Sequence, residues 1–159
     1  MRALAVLAAA GLLAANEPPR VELEPRPCAA PAARSRVCAQ AFDDHGVARV
    51  RVLFRAAGSR DFWSTEMEFD GTRYCAWLPR ALPRTRTVEY YVEAFDDEFE
   101  ISRTRTEQIE LRDGCARESS PAGATAVAPT VRGQPALPPG FDPASVSTKG
   151  ATPSPSSGR

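Results

Sequence analysis

The stretch Thr87-Val88-Glu89-Tyr90-Tyr91-Val92-Glu93-Ala94-Phe95-Asp96-Asp97 constrains this chain more than any other. Val88, Tyr90, Val92 and Ala94 fall on one face, and Glu89, Tyr91, Glu93 and Phe95 on the other. Period-two alternation rich in β-branched and aromatic residues predicts a strand buried on one side. The aspartate pair at its end supplies turn-forming side chains that stop it.

The other patterned runs read as neighbours of this strand. Val21-Glu22-Leu23 is a brief edge strand closed by Pro25 and Pro27. From Ser35 to Phe42 the inward set is Val37, Ala39 and Ala41, and Asp43-Asp44-His45-Gly46 is a turn on its chemistry. From Ala48 to Arg55, Val50, Val52 and Phe54 point inward while Arg49, Arg51 and Arg55 point outward. A run from Phe62 to Phe69 puts Trp63, Met67 and Phe69 on one face. Asp70-Gly71 is a hairpin signal leading into Thr72 to Leu78, with Tyr74, Ala76 and Leu78 inward. Prolines punctuate the crossing from Pro79 to Arg86, and Ile101 to Leu111 is the last run. None of these runs carries helical periodicity.

Ahead of the strands, residues 1–15 are Arg2 followed by an unbroken apolar run ending in small residues. That pattern predicts a secretory signal peptide cleaved after Ala15, since spanning a bilayer takes about 20 apolar residues. The chain is therefore expected in the periplasm or outside the cell, with no stable membrane insertion. Its 20 basic and 20 acidic residues balance, which argues against nucleic acid as a partner. Nearly every basic residue is arginine, with Lys149 the one lysine. In an oxidising compartment the even set Cys28, Cys38, Cys75 and Cys115 favours two disulfides. Zinc has little support, with no C-x-x-C and His45 as the one histidine.

Seven short strands with regular turn signals suggest a two-sheet sandwich. Asp43-Asp44-x-Gly46-Val47, Val50-x-Val52-x-Phe54-Arg55, Tyr74-x-Ala76-x-Leu78-Pro79 and Val88-Glu89-Tyr90-Tyr91-Val92-x-Ala94-x-Asp96 resemble the immunoglobulin-like or fibronectin type III-like modules of secreted bacterial proteins. The resemblance covers about residues 20–112. It lacks a tryptophan on the second strand and the immunoglobulin Cys…Trp…Cys arrangement. It implies an all-β fold, a seven-stranded antiparallel sandwich. In that topology Cys38 and Cys75 sit on the outward phases of adjacent strands, and Cys28 and Cys115 at one pole. The implied pairing is Cys38–Cys75 with Cys28–Cys115, against a competitor of Cys28–Cys38 with Cys75–Cys115. The same topology sets Arg49, Arg51 and Arg55 across from Glu89 and Glu93, a solvated ladder of cross-strand pairs.

It also brings two acidic turns to one end. Asp43, Asp44, Asp96 and Asp97 have the chemistry for calcium, which takes six to eight oxygens, although neither turn has calcium-loop spacing. The competing reading has each aspartate capping its own turn. No catalytic motif accompanies His45, and phosphate-binding glycine patterns are absent, so the chain is expected not to be an enzyme. The functional expectation is an exported interaction or structural module with a protein partner. The alternative is a carbohydrate-binding sandwich that stacks polysaccharide on Trp63, Trp77 and Tyr91.

Residues 116–159 change character, dominated by proline, alanine, serine, threonine and glycine with Phe141 the one aromatic. So little apolar surface predicts a disordered tail dispensable for folding. The domain plan is thus a leader at 1–15, a short segment at 16–19, a sandwich at 20–115 and a tail at 116–159.

Overall fold

The computed structural model describes residues 16–148. The predicted signal peptide and the last residues of the tail, 149–159, lie outside the described residues. The strand read as central is β8, Thr87–Asp96, and it pairs antiparallel with β4, Val47–Ala56, from Val47↔Asp96 to Ala56↔Val88. Its inward set, Val88, Tyr90, Val92 and Ala94, is fully buried, as is the facing set Val50, Val52 and Phe54 on β4. Alternation holds for the inward sets, while the outer face of the pair is largely half-buried, with Leu53 and Glu93 buried on it.

Two sheets close on that core. The smaller orders β1 (Arg20–Leu23), β3 (Arg36–Phe42), β7 (Tyr74–Trp77) and β6 (Glu68–Phe69). The larger orders β12 (Val146–Thr148), β11 (Thr125–Pro129), β5 (Trp63–Glu66), β4, β8, β10 (Glu107–Leu111) and β2 (Cys28–Ala29), with β9 (Ile101–Arg103) also on β8. Val37, Ala39 and Ala76 from the first pack with Tyr90, Ile109 and Trp63 from the second in one cluster.

The expected seven-stranded antiparallel layout is corrected to sheets of four and eight strands with mixed pairing. The additional strands come from segments without alternation. β2 is a two-residue piece of the proline connector lying parallel to β10, and β11 and β12 lie parallel in the tail. The run from Phe62 to Phe69 splits at Met67, where the chain crosses from one sheet to the other. Trp63 and Met67 stay in the core, and Phe69 turns out to solvent.

The tail reading is corrected for residues 116–148. β11 adds to the free edge of β5 through Ala128↔Ser64 and Pro129↔Trp63, and Val127 and Phe141 are buried. The Phe141 ring meets Phe54 edge-on at 5.1 Å. Gly140 must be glycine, because a Cβ there would stand 2.6 Å from that of Ala56 at a φ of 85°. Arg34, 8% exposed, fastens the segment. Its guanidinium donates to the carbonyls of Leu78, Pro121 and Gly123 and to the Thr125 hydroxyl. Burial, then the charge of Arg80, pushes its pKa down. A few well-placed contacts thus order a segment whose composition alone gives no core.

Both disulfides form as the resemblance implied, Cys38–Cys75 and Cys28–Cys115. Cys38 and Cys75 stand directly opposite in the β3–β7 ladder, with Cα atoms 4.2 Å apart. Two disulfides fit an oxidising, exported environment. Among the described residues, no helix is long and apolar enough to cross a membrane.

Candidate functional site

The Val47↔Asp96 pair puts the β3–β4 and β8–β9 turns at the same end of the sandwich. Each turn is locked by its own aspartate. Asp43 Oδ1 accepts from the backbone amides of His45 and Gly46, both at 2.8 Å. Asp96 is buried, and its Oδ1 accepts from the amides of Glu98 at 2.9 Å and Glu100 at 2.8 Å. Its Oδ2 accepts from Asn16 Nδ2 at 2.6 Å. These are carboxylates satisfying turn amides, the Asx arrangement.

The Asp96 lock has a consequence one residue on from Glu98. Phe99 sits at a φ of 68°, a left-handed conformation that costs a non-glycine residue about 1–2 kcal/mol, and its side chain is 84% exposed. Phe42 and Ile101, also exposed, flank the same two turns. The same two turns carry Asp43, Asp44, Asp97, Glu98 and Glu100. His45 Nδ1 lies 3.1 Å from Asp44 Oδ1. The hydrogen bond to Asp44 and that residue's charge raise the His45 pKa, with Asp43 and Glu98 adding to the effect.

The four aspartates read as a calcium set are not brought together as one. Asp43, Asp44 and His45 each place a ligand atom within 4.8 Å of the others. Asp96 and Asp97 stand outside that group, and the Asp96 oxygens are engaged by amides. The glycan set is likewise dispersed. Trp63 is 2% exposed, inside the core opposite Phe54. Trp77 belongs to the four-stranded sheet and Tyr91 to the eight-stranded one. Tyr91 is covered by Phe62, edge-on at 5.0 Å, with the Arg103 guanidinium 5.9 Å from its ring. Trp77 lines a cleft of about 400 Å³ with Arg34, Thr65, Glu66 and Thr125.

The ladder expected on the outer face of β4 and β8 is present in register. Arg51 pairs with Glu93 at 2.7 Å and Arg55 with Glu89 at 2.7 Å. Arg49 departs from the expectation: its register partner is Phe95, and its guanidinium pairs with Glu66 on β5. Arg51 lies 5.0 Å from the Phe95 ring and Arg55 4.3 Å from that of Phe62. Such pairs contribute about 0.2–1 kcal/mol each. These three arginines are thereby engaged, and the face presents no free cationic patch from them.

The residue sequence reasoning missed is Phe99. Its signal was an aromatic inside the acidic run Asp96-Asp97-Glu98-Phe99-Glu100, past the end of the strand and outside any alternating pattern. No family model matches this chain, and no curated protein matches it either.

Proposed function

We propose that this chain is a non-catalytic exported module, immunoglobulin-like or fibronectin type III-like in kind. It binds a protein partner in the cell envelope or outside the cell through the acidic end that Phe99 crowns. The observation that carries the reading is Phe99, held exposed in a left-handed turn by the buried Asp96. A large apolar ring kept in water at a conformational cost makes sense as an anchor awaiting a pocket. Because the turn is already ordered, binding need not freeze it, which lowers the entropic cost of association. The surrounding carboxylates favour a partner with a basic rim and speed its approach.

The test compares capture from the native envelope or secretome by the parent and by Phe99→Ala. The variant is expected to keep the parent's melting temperature, since the ring touches little of the fold, and to lose a stoichiometric protein the parent retains. Capture by the parent should itself weaken as salt rises. Equal capture by both proteins would refute the assignment of the site.

A further inference from the structure

With 20 basic and 20 acidic residues in balance, the acidic end at Phe99 must be offset elsewhere on the surface. The offset lies at the opposite end, where β4 finishes and β8 begins, paired as Ala56↔Val88. Arg84 and Arg86 are exposed in the connection that enters β8, where the Thr87 carbonyl accepts from the Ala57 amide at 3.0 Å. Arg60 extends from the β4–β5 loop with its side chain 96% exposed. Arg132 is exposed in the loop after β11, which the Gln134 side-chain amide ties to the Phe62 carbonyl at 2.7 Å.

Most carboxylates at this end are already engaged. Asp61 lies 4.0 Å from Arg60, Glu110 3.3 Å from Arg112 and Asp142 3.5 Å from Arg80. Asp113 is also exposed there, yet Arg84, Arg86 and Arg132 have no ion pair among the described residues. At the Phe99 end the reverse holds: Asp97, Glu98 and Glu100 have no cationic partner among the described residues. Ten-residue strands at about 3.3 Å per residue set the two ends roughly 30 Å apart. That is well beyond the screening length of about 8 Å at physiological salt, so the ends do not neutralise each other within one molecule. Each is free to attract its opposite on another.

We propose that the occupant of the Phe99 surface is a second copy of this chain, docked head to tail through its arginine end. The inference rests on the reading of Phe99 as a binding anchor and names the partner. A two-fold contact through the acidic end would set like charges against each other, which disfavours a symmetric dimer. The opposite end meets the needs of the anchor. Val131 and Leu137 are exposed in the loop that carries Arg132, and guanidinium faces stack on an aromatic ring. Because the two surfaces differ and lie at opposite ends, each added copy presents a fresh acidic end. A heterologous contact of that kind extends into an open chain unless its rotation closes a ring.

The test follows the purified protein by sedimentation velocity from about 1 µM to about 1 mM, in about 0.02 M and about 0.5 M salt. At low salt the mean mass is expected to rise past that of a dimer, and at high salt to need at least about tenfold more protein to do so. Phe99→Ala disables one end, and Arg84→Glu, Arg86→Glu, Arg132→Glu the other; all four residues are exposed, so both variants should keep the parent's melting temperature. Each alone is expected to stay monomeric, and an equimolar mixture to form a one-to-one dimer that grows no further. A parent that is monomeric throughout overturns the proposal, and Phe99→Ala losing a different captured protein would still uphold the anchor. Growth that stops at a dimer in the parent also overturns it, as does a mixture of the two variants that fails to associate.

Discussion

Replacing Phe141 by alanine measures how much of the domain depends on its C-terminal segment. The ring is 3% exposed and packs on Phe54 at 5.1 Å. Truncating a buried phenylalanine costs about 3–5 kcal/mol, with the upper part reached where the site cannot collapse. Collapse is hindered here, because the backbone at Gly140 already lies against Ala56 and Thr85. A loss of about 4 kcal/mol, at about 3–4 °C for each kcal/mol in a domain of this size, lowers the melting temperature by roughly 12–16 °C. Ending the chain after Ala116 should cost more. That deletion also removes Val127 from the core and strips Arg34 of its acceptors at Pro121, Gly123 and Thr125, leaving a buried cation underbonded. Circular-dichroism melts and urea unfolding under non-reducing conditions report both variants. A Phe141→Ala protein that melts within about 3 °C of the parent would refute the packed segment.

Asp70 offers a pH signature. The Thr72 amide, then its hydroxyl and the Arg73 groups, hold its pKa down to about 2 from 3.8. A depressed carboxylate stabilises the fold above 3.8 and loses that contribution as pH falls towards 2. The parent should therefore lose stability through that window more steeply than Asp70→Asn, and parallel curves of urea midpoint against pH would contradict this. For the Cys28–Cys115 bridge, a separation of 87 residues corresponds to about 4.5 kcal/mol of loop entropy. Cys28→Ser, Cys115→Ser should lose about that much in urea unfolding, and a loss under about 1 kcal/mol would rule out the loop-entropy account.

The parts of this fold legible in the sequence are those where one residue type repeats on a short period. β3, β4, β7 and β8 alternate, so their inward sets followed; the Cys38–Cys75 pair and the Arg51 and Arg55 rungs of the ladder needed the topology that the resemblance implied as well, and Arg49 went to Glu66 instead. The Asp43 and Asp96 turns were readable as Asx chemistry, which is local in the chain. What stayed hidden depends on single contacts between distant residues. β2 has two residues and β11 one large apolar side chain, too few to make a period. Phe141 stood alone in a stretch of small residues, and its destination beside Phe54 has no local signature. Phe99 lay outside the pattern because its exposure follows from the Asp96 lock, a three-dimensional fact.

The strap formed by β11 and Phe141 also sets a schedule for folding. Arg34 and Thr125 are separated by 91 residues, so the first strands are made long before the segment that covers them. Until residue 129 emerges β5 carries an open edge, and until residue 141 emerges the site of Phe141 is a hole beside Phe54. Contacts this remote slow the final closure, since the loop must be gathered before any of its contacts form. A bare edge is also a template for a neighbouring chain. The time between synthesis of β5 and arrival of β11 is therefore the interval in which two nascent copies are most prone to pair with each other.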